Sequence, residues 1–395
     1  MLKQFLTYLA VLLSVAAFSQ PATIMTWNLL SFDAGSNERV DYFKTVIDSM
    51  KPELLAVQEL EGQSAVSFFH QHVLDYEMAL APFTEGPDSE SALFYDSTLF
   101  EIVTAEAIPT ALRNISWITL KRHWSTDTLY VFIAHLKAGT GSSNEALRLE
   151  EINQLRQVTD DLPTGSYFIV CGDFNFYGSD EPAYQRLLEQ DGTAGYFIDP
   201  IGFTGTWNIE SYAEHHTQSP RLRNFGGGAS GGLDDRFDLI LFSHSFGPNG
   251  DIQYMYNTSW AVGNDGEHYN DSINAPPNSI VSQQFANALH HASDHLPVVT
   301  SFRFMNETAI DEVSKQNEFR IMPNPSNGLF EIRCNTLSYY SGYEIFDSKG
   351  AVVYEGSISS NSGSMLVDMR FLDSGIYVLR FNGTQGVVET RIVKN

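Results

Sequence analysis

Short apolar runs alternate with segments of helical periodicity between residues 22 and 304, and this alternation limits the fold more than any other feature of the sequence. Ala22–Trp27 and Leu54–Val57 have the length and composition of buried strands, whereas Glu38–Met50 carries apolar residues at helical spacing. The further strands predicted in this part are Ala92–Tyr95, Ile115–Leu120, Leu129–Ala134, Tyr167–Cys171, Phe237–Phe242 and Pro297–Phe304. Strands and helices mixed on this scale predict a layered body with its own core over residues 20–305.

This body carries most of the acidity of the chain, whose 395 residues have a formal charge of −25. Residues 20–305 hold 14 Lys and Arg against 37 Asp and Glu, whereas residues 306–395 hold 8 against 11. A field of this sign repels polyanions and attracts cations. It therefore disfavours nucleic-acid binding that depends on the protein alone, and it suits divalent-metal sites.

The first 19 residues have the features of a secretory signal peptide. Lys3 supplies the positive start, an apolar stretch runs from Leu9 to Ala17, and Ala17 and Ser19 stand at positions −3 and −1 of a cut before Gln20. A buried N-terminal helix is the alternative. No segment reaches the roughly 20 apolar residues that cross a bilayer, so no transmembrane segment is expected in the mature chain.

The composition changes near residue 306. Residues 306–317 are polar and are predicted to form a linker, whereas residues 318–395 contain short apolar runs separated by turns such as Asn327-Gly328. This pattern predicts a small all-β sandwich. The two cysteines, Cys171 and Cys334, fall in separate predicted domains and do not form a disulfide framework.

Polar residues stand repeatedly at the tips of the predicted strands. One buried Asp or His is usually a satisfied structural group, but here the same arrangement recurs along the chain. The residues that share it are Asn28, Glu59, His135, Asp173, Asn175, Asp238, Asp294 and His295. A core gains nothing from grouping such side chains, because each must be desolvated and paired, so we predict an active site at one edge of the sheets.

The chemistry of this set favours a divalent cation. Oxygen ligands from Asn28 and Glu59, with Asp173 or Asp294 nearby, suit Mg²⁺, and Mn²⁺ or Ca²⁺ are the alternatives. Zinc is disfavoured because the sequence has neither a thiolate cluster nor a His-Glu-x-x-His motif. Together with histidines able to activate water, these ligands predict metal-assisted hydrolysis of a phosphate ester.

The ordered motifs "TWN", "QE", "HLKAG", "GDFN", "RFDLIL" and "SDHLP" resemble those of the endonuclease/exonuclease/phosphatase superfamily over roughly residues 22–304. That superfamily includes deoxyribonucleases, abasic-site nucleases, sphingomyelinases and inositol-phosphate phosphatases. The resemblance implies the fold class α+β. It predicts a four-layer αββα sandwich with the site at one end of two packed sheets, followed in this chain by the small β sandwich.

The resemblance also implies how the metal and the transition state would be held. Asn28 and Glu59 resemble the metal-binding pair of the family, and Asp294 resembles a second carboxylate at the metal or the water. Asp173 and Asn175 resemble the pair that positions the attacking water or metal and stabilises the transition state.

For proton transfer, His295 resembles the general base of the family, and Asp238 resembles the carboxylate that holds its imidazole. His135 resembles the histidine that protonates the leaving oxygen or contacts the phosphate. Asp234 and Asp235 are alternatives to Asp238 if the register is shifted, although only Asp238 directly precedes the apolar strand.

Two cationic side chains near the predicted strand ends are candidates for substrate binding. Arg113 precedes the strand Ile115–Leu120, and Lys137 follows His135. Arg113 is expected to contact a substrate phosphate, and Lys137 is expected to neutralise charge near the site. An ordinary exposed surface residue is the alternative for Arg113.

The C-terminal segment resembles the sorting domain of the type IX secretion system of Bacteroidetes-like bacteria. The motifs "MPNPSNG" and "DSGIYVLRF" and the basic ending "RIVKN" carry this resemblance. It implies the type IX secretion machinery as a partner and export across the outer membrane, to the cell surface or the medium. The alternative is an adhesive or carbohydrate-binding β sandwich.

These features together predict a secreted, divalent-metal-dependent phosphodiesterase, with a nuclease that acts on extracellular DNA or RNA as the leading hypothesis. A phospholipid or small phosphate-ester hydrolase has the same chemistry, and the acidic body favours it because nucleic-acid binding usually gains from basic patches. A secreted binding protein without activity is the third hypothesis. The sequence does not indicate an oligomeric state.

Overall fold

The chain folds into two compact units, Met1–Thr308 and Ala309–Asn395. The computed structural model describes residues 21–75, 77–305, 320–322, 324, 326–333, 340–347, 351–358, 364–383 and 386–394. The predicted signal peptide (residues 1–19), the predicted linker (306–317) and Cys334 lie outside the described residues.

Two mixed sheets form the centre of the first unit. The strands of the first sheet are β1 (Pro21–Phe32), β2 (Leu54–Leu60), β3 (Ala79–Leu80), β4 (Glu90–Tyr95), β11 (Ile252–Tyr254), β12 (Trp260–Ala261) and β13 (Val298–Phe304). They follow the order β11-β13-β1-β2-β4-β3, with β12 also paired to β13. The strands of the second sheet are β5 (Phe100–Ile108), β6 (Ile115–Arg122), β7 (Thr128–His135), β8 (Tyr167–Asp173), β9 (Phe197–Ile198) and β10 (Asp238–Ser243). Their order is β5-β6-β7-β8-β10-β9.

Among the described residues of this unit, five α-helices cover the outer faces of the two sheets. They are α1 (Val40–Met50), α2 (Gly62–Phe68), α3 (Ser142–Asp160), α4 (Pro182–Leu188) and α5 (Gln283–Ala292). Side chains of α1, α2 and α5 pack on the first sheet, and those of α3 and α4 pack on the second. The predicted four-layer αββα sandwich is therefore confirmed.

The alternation of side chains along each strand explains why the two sheets pack face to face. In β1, Ile24 points into the apolar layer between the sheets, whereas Met25 and Trp27 point toward the helices. In β8, Cys171 lies in the central layer and Val170 packs toward α3 and α4. Strands buried on both faces read as continuous apolar runs, which is why the sequence reveals them.

Several elements were not predicted. α2 continues into a π-helical turn, Phe69–Val73, and β5 is an edge strand with alternating exposure. His290 and His291, which the sequence indicates to be loop or surface histidines, belong to the last turn of α5, where both are partly exposed. There His290 Nδ1 donates to the carbonyl oxygen of Pro220 at 3.0 Å and lies 3.0 Å from Ser272 Oγ, so the side chain is tied into the fold.

The second unit is a small sandwich of two antiparallel sheets, as predicted. Its strands are β14 (Arg320–Met322), β15 (Leu329–Arg333), β16 (Tyr340–Phe346), β17 (Val352–Ser357), β18 (Ser364–Asp368), β19 (Gly375–Gly383) and β20 (Gly386–Lys394). One sheet has the order β14-β15-β18 and the other β17-β16-β19-β20. Phe330 and Ile332 of the first sheet share one core with Leu379 and Phe381 of the second.

Within the described part of the chain, no helix combines the length and the apolar character needed to cross a bilayer.

Candidate active site

The register of the second sheet places three polar side chains in one row at its edge. Asp173, the last residue of β8, pairs with His135 of the parallel neighbour β7 and with Asp238 of the antiparallel neighbour β10. The backbones approach closely just before this row. Gly172 has a φ of 135°, and a Cβ there would lie 1.9 Å from the carbonyl oxygen of Ala134. Glycine is therefore required for this spacing.

The first sheet contributes the opposite side of the site. Asn28 of β1 donates from Nδ2 to Glu59 Oε1 of β2 (2.9 Å) and to Asp173 Oδ2 (3.0 Å), so its amide joins the two sheets. The second carboxylate oxygen of Glu59 accepts from the backbone N–H of Ser31 at 2.8 Å. Glu59, Ser31 and Leu30 all adopt positive φ, at 60°, 41° and 52°. Such strain is commonly found at functional sites.

His295 enters from the segment before β13. Its backbone carbonyl accepts from Trp27 Nε1 at 2.8 Å, and its backbone N–H donates to Ser293 Oγ at 3.2 Å. On the side chain, Nδ1 lies 2.7 Å from Asp238 Oδ2, and Nε2 lies 3.7 Å from Asp173 Oδ2. In the structure it is thus Asp238, rather than Asp234 or Asp235, that contacts the imidazole.

His135 completes the centre of the cluster. Its Nε2 lies 3.7 Å from Glu59 Oε1 and 3.6 Å from Asp173 Oδ2. One ligand atom from each of these three residues lies within 4.8 Å of the others, which is a spacing that can hold a metal ion. The Nδ1 atom of His135 is buried and has no hydrogen-bond partner among the described residues.

Burial and crowding of carboxylates shift the pKa values of this cluster. Burial, together with the charges of Asp238 and Glu59, raises the pKa of Asp173 to about 7, although His295 opposes the shift. Burial also lowers the pKa of His135 well below its usual value. Burial also tends to lower the pKa of His295. The negative charges of Asp238 and Asp173 outweigh this effect and raise the pKa of the imidazole well above its usual value.

These residues fit a divalent cation. The donors are carboxylate oxygens, an amide and one imidazole, which suits a hard ion. A cation would also offset the carboxylate repulsion that raises the pKa of Asp173. Asn28 faces the carboxylates through Nδ2, and its Oδ1 accepts from the backbone N–H of Leu30 at 2.9 Å. The amide would therefore have to rotate by a half turn before its oxygen could bind the cation.

Asp294 lies beside His295 but faces a glycine-rich loop, residues 226–232. Its Oδ2 accepts from the backbone N–H of Ala229 at 2.5 Å, and its buried Oδ1 has no partner among the described residues. Gly228 has a φ of 78°, and a Cβ at this position would lie 2.5 Å from Asp294 Oδ2. Part of this surface loop therefore has a packing role beside the site.

A buried arginine fixes the base of the same loop. The guanidinium of Arg221 donates to the backbone carbonyl of Phe225, just before the loop, at 3.3 Å and to that of Gly227 at 3.4 Å. It also donates to the backbone carbonyls of His290 and His291 at the end of α5. The loop is thus tied to the helix that precedes Asp294.

Two further predicted residues lie beside the cluster, with their polar groups bonded to other parts of the protein. Asn175, in a left-handed conformation, donates from Nδ2 to the carbonyl of Leu136 at 3.3 Å. Arg113 forms an ion pair with Asp88 at 3.0 Å and reaches the carbonyl of His135 at 3.5 Å.

Lys137 donates from Nζ to the neighbouring carbonyl of Ala138 at 2.9 Å. In the part of the chain that the structure describes, no hydrogen bond or ion pair joins this ammonium group to the cluster.

Sequence reasoning missed one residue of the site. The side-chain Nε2 of Gln218 lies 2.6 Å from Nε2 of His295. Gln218 does not stand at the tip of an apolar run, and nothing in its local sequence, "HHTQSP", indicates the contact.

The comparisons with known families agree with the two units. Residues 25–295 match the Endonuclease/Exonuclease/phosphatase family, and residues 320–395 match the Secretion system C-terminal sorting domain. The first match spans more than half of the chain, which therefore belongs to the endonuclease/exonuclease/phosphatase family. The C-terminal sorting domain indicates export through the type IX secretion system to the cell surface or beyond.

Solved structures of similar fold include the catalytic domain of human Nocturnin with a bound sulfate anion, at 19% identity and a TM-score of 0.47, covering 72% of this chain and 95% of that one. D. rerio TDP2 complexed with a single-strand DNA product has 13% identity and a TM-score of 0.47, with 72% and 99% covered. An endonuclease/exonuclease/phosphatase family protein from Bacteroides thetaiotaomicron has 15% identity and a TM-score of 0.46, with 72% and 98% covered. No curated protein matches the sequence.

Proposed function

We propose that this protein is a secreted, divalent-metal-dependent phosphodiesterase, and specifically a nuclease that hydrolyses extracellular DNA or RNA. One observation carries the proposal. Asp238 holds Nδ1 of His295 at 2.7 Å, which leaves Nε2 directed at the carboxylate cluster, 3.7 Å from Asp173. A histidine fixed in this way beside a cation-binding group is the arrangement needed for metal-assisted attack of water on phosphorus.

Glu59 and Asp173 would hold the cation, with the rotated amide of Asn28 in reach. Asp294 would stand near them as a third carboxylate. When bound, Mg²⁺ or a similar ion would neutralise charge on the phosphoryl group in the transition state.

With a cation offsetting the carboxylates that raise its pKa, His295 would be neutral and would take a proton at Nε2 from the attacking water. The new P–O bond would form as the bond to the leaving oxygen breaks. Asp238 would fix the tautomer and stabilise the imidazolium that results. Asn175 would donate to a phosphoryl oxygen, and Arg113 and Lys137 would contact neighbouring phosphates by exchanging their present partners.

His135 would serve the leaving oxygen. Burial lowers its pKa well below the usual value, so the imidazole is neutral at pH 7. A neutral imidazole still carries one N–H, and His135 would direct it from Nε2 as a hydrogen bond to the departing oxygen. His135 would keep this proton, and the departing oxygen would take its proton from solvent.

Purified protein given plasmid DNA and RNA with Mg²⁺, Mn²⁺ or Ca²⁺ should degrade both or one of them, and EDTA should stop the reaction. Turnover of phospholipids or sugar phosphates, with no action on either nucleic acid, would overturn the choice of substrate. Inertness toward every phosphate ester in the panel would favour a binding protein without activity.

A further inference from the structure

Gln218 places its side-chain amide on the nitrogen of His295 that the proposed reaction uses. The two Nε2 atoms lie 2.6 Å apart. The backbone of Gln218 is fixed on both sides, because its N–H donates to the carbonyl of Asp235 (3.1 Å) and its carbonyl accepts from the N–H groups of Asp234 (3.0 Å) and Asp235 (3.0 Å). The amide therefore faces His295 as a consequence of the fold.

A water molecule activated by His295 must come within hydrogen-bond distance of Nε2, so the amide and the substrate compete for the same place. The amide can move away from Nε2, because Gln218 is half-buried and its last two side-chain bonds can rotate. A phosphoryl group that approaches this water brings its charged oxygens next to the amide.

We propose that Gln218 is a phosphoryl-binding residue. Its amide covers Nε2 of His295 in the free protein and turns to donate to a non-bridging phosphoryl oxygen when substrate arrives. This inference rests on the proposed function, since it assigns a further residue to the same site.

The other donors assigned to the phosphate would likewise have to leave protein partners to reach it, and none of those partners is the proposed base. Asn175 donates to Leu136, and the guanidinium of Arg113 is divided between Asp88 and the carbonyl of His135. Among the described residues, the amide that lies directly on His295 Nε2 is that of Gln218. In a cluster crowded with carboxylates, a neutral donor beside the base can attract the phosphate without adding repulsion.

The choice of a carboxamide also suits both states of the histidine. An amide can donate through its nitrogen to a neutral imidazole or, after a half turn, accept through its oxygen from an imidazolium. Gln218 can therefore return to Nε2 after turnover, whichever form His295 has.

The test compares Gln218→Met, which keeps the length but removes the donor, with Gln253→Met as the matched control. Gln253 is also half-buried, and its amide bonds backbone carbonyls remote from the cluster, those of Pro248 and Gly250. Bis(4-nitrophenyl) phosphate and plasmid DNA serve as substrates with Mn²⁺. Binding of inorganic phosphate to the Mn²⁺-loaded protein is measured both as competitive inhibition and by calorimetry.

For Gln218→Met we expect kcat/KM to fall about 10- to 100-fold, as for the loss of a hydrogen bond to a charged group. The inhibition constant of phosphate should rise about tenfold or more, and Gln253→Met should match the parent. If Gln218→Met does not fold, Gln218→Asn, which withdraws the amide by one methylene, takes its place with the same expectations.

If Gln218→Met binds phosphate as tightly as the parent, the inference is overturned, whatever happens to kcat/KM. In that case a rise in kcat/KM would mean that the amide only blocks His295 Nε2, and a fall would mean that it only positions His295. A parent protein that hydrolyses no phosphate ester, yet binds phosphate more tightly than Gln218→Met in the calorimeter, would overturn the proposed function and leave the inference standing.

Discussion

Asp238 Oδ2 and His295 Nδ1 lie 2.7 Å apart, although 57 residues separate them in the chain. Asp238 opens β10 in the second sheet, and His295 precedes β13 in the first, so this hydrogen bond crosses from one sheet to the other. It decides which nitrogen of the imidazole remains available for chemistry. The proposed mechanism depends on this pair more than on any other contact.

Replacing Asp238 by Asn should lower kcat about 10²- to 10⁴-fold with little change in KM. The amide would no longer stabilise an imidazolium, and it can favour the wrong tautomer. Steady-state kinetics on DNA would measure the effect, with thermal unfolding as the check on folding. Asp234→Asn is the control for the alternative register, and it should keep parental activity. A large loss in that variant instead would point to Asp234 as the partner that matters.

Replacing Glu59 by Gln should abolish Mn²⁺ binding and hydrolysis together. The neutral side chain keeps the shape but removes one carboxylate from the proposed cation site. Without metal, its melting temperature should equal or exceed that of the parent, because repulsion with Asp173 is relieved.

Calorimetry with Mn²⁺ would show the binding directly, and Glu61→Gln, two positions along and exposed, is the matched control. Mn²⁺ binding of parental strength in the Glu59 variant would remove this residue from the proposed metal site.

The contribution of Asp173 to the stability of the metal-free protein should fall as the pH rises from about 4 to about 7. Burial, first of all, raises the pKa of Asp173 to about 7, so within this window the folded state holds a proton that the unfolded state has lost. Each pKa unit corresponds to about 1.4 kcal/mol, so the contribution of Asp173 amounts to a few kcal/mol.

Urea unfolding of the parent and of Asp173→Asn in EDTA, at several pH values, isolates this contribution as a difference. From about pH 4 to about pH 7, the free energy of unfolding of the variant should rise steadily relative to that of the parent. A difference independent of pH would show that Asp173 ionises normally in the folded protein.

Adding a methyl group at Gly228 should impair activity more than the same change at Gly226. Both glycines have positive φ, so each alanine costs about 1 kcal/mol of stability. Only at Gly228 would the new Cβ meet Asp294 Oδ2, at 2.5 Å, whereas at Gly226 nothing lies within 4 Å. We expect kcat/KM to fall about tenfold in Gly228→Ala alone, a size typical of a displaced charged group. Equal losses in the two variants would assign the effect to the loop backbone.

The tips of the buried strands were predictable because the apolar runs that precede them are continuous. Asp173, His135 and Asp238 each stand at such a boundary, and the sheet register then brings them together. The edge strand β5 gave no comparable signal, since polar and apolar residues alternate along it and half of it faces solvent.

The contact of Gln218 with His295 could not be predicted in the same way. It arises from an irregular segment held by Asp234 and Asp235, where neither helical nor strand periodicity applies. Likewise, the packing of Gly228 on Asp294 depends on a fold-wide approach of two loops that local composition does not encode. The hydrophobic periodicity of the sequence indicates regular helices and strands, whereas contacts between irregular segments leave no such pattern.

The amide of Asn28 spans the gap between the sheets, with Glu59 on one side and Asp173 on the other. The width of that gap is governed by the apolar layer beneath it, in which Ile24 and Cys171 lie. A larger or smaller side chain at either position would therefore increase or decrease the distance between Glu59 and Asp173. The catalytic rate should then depend on how well the interior between the two sheets is packed.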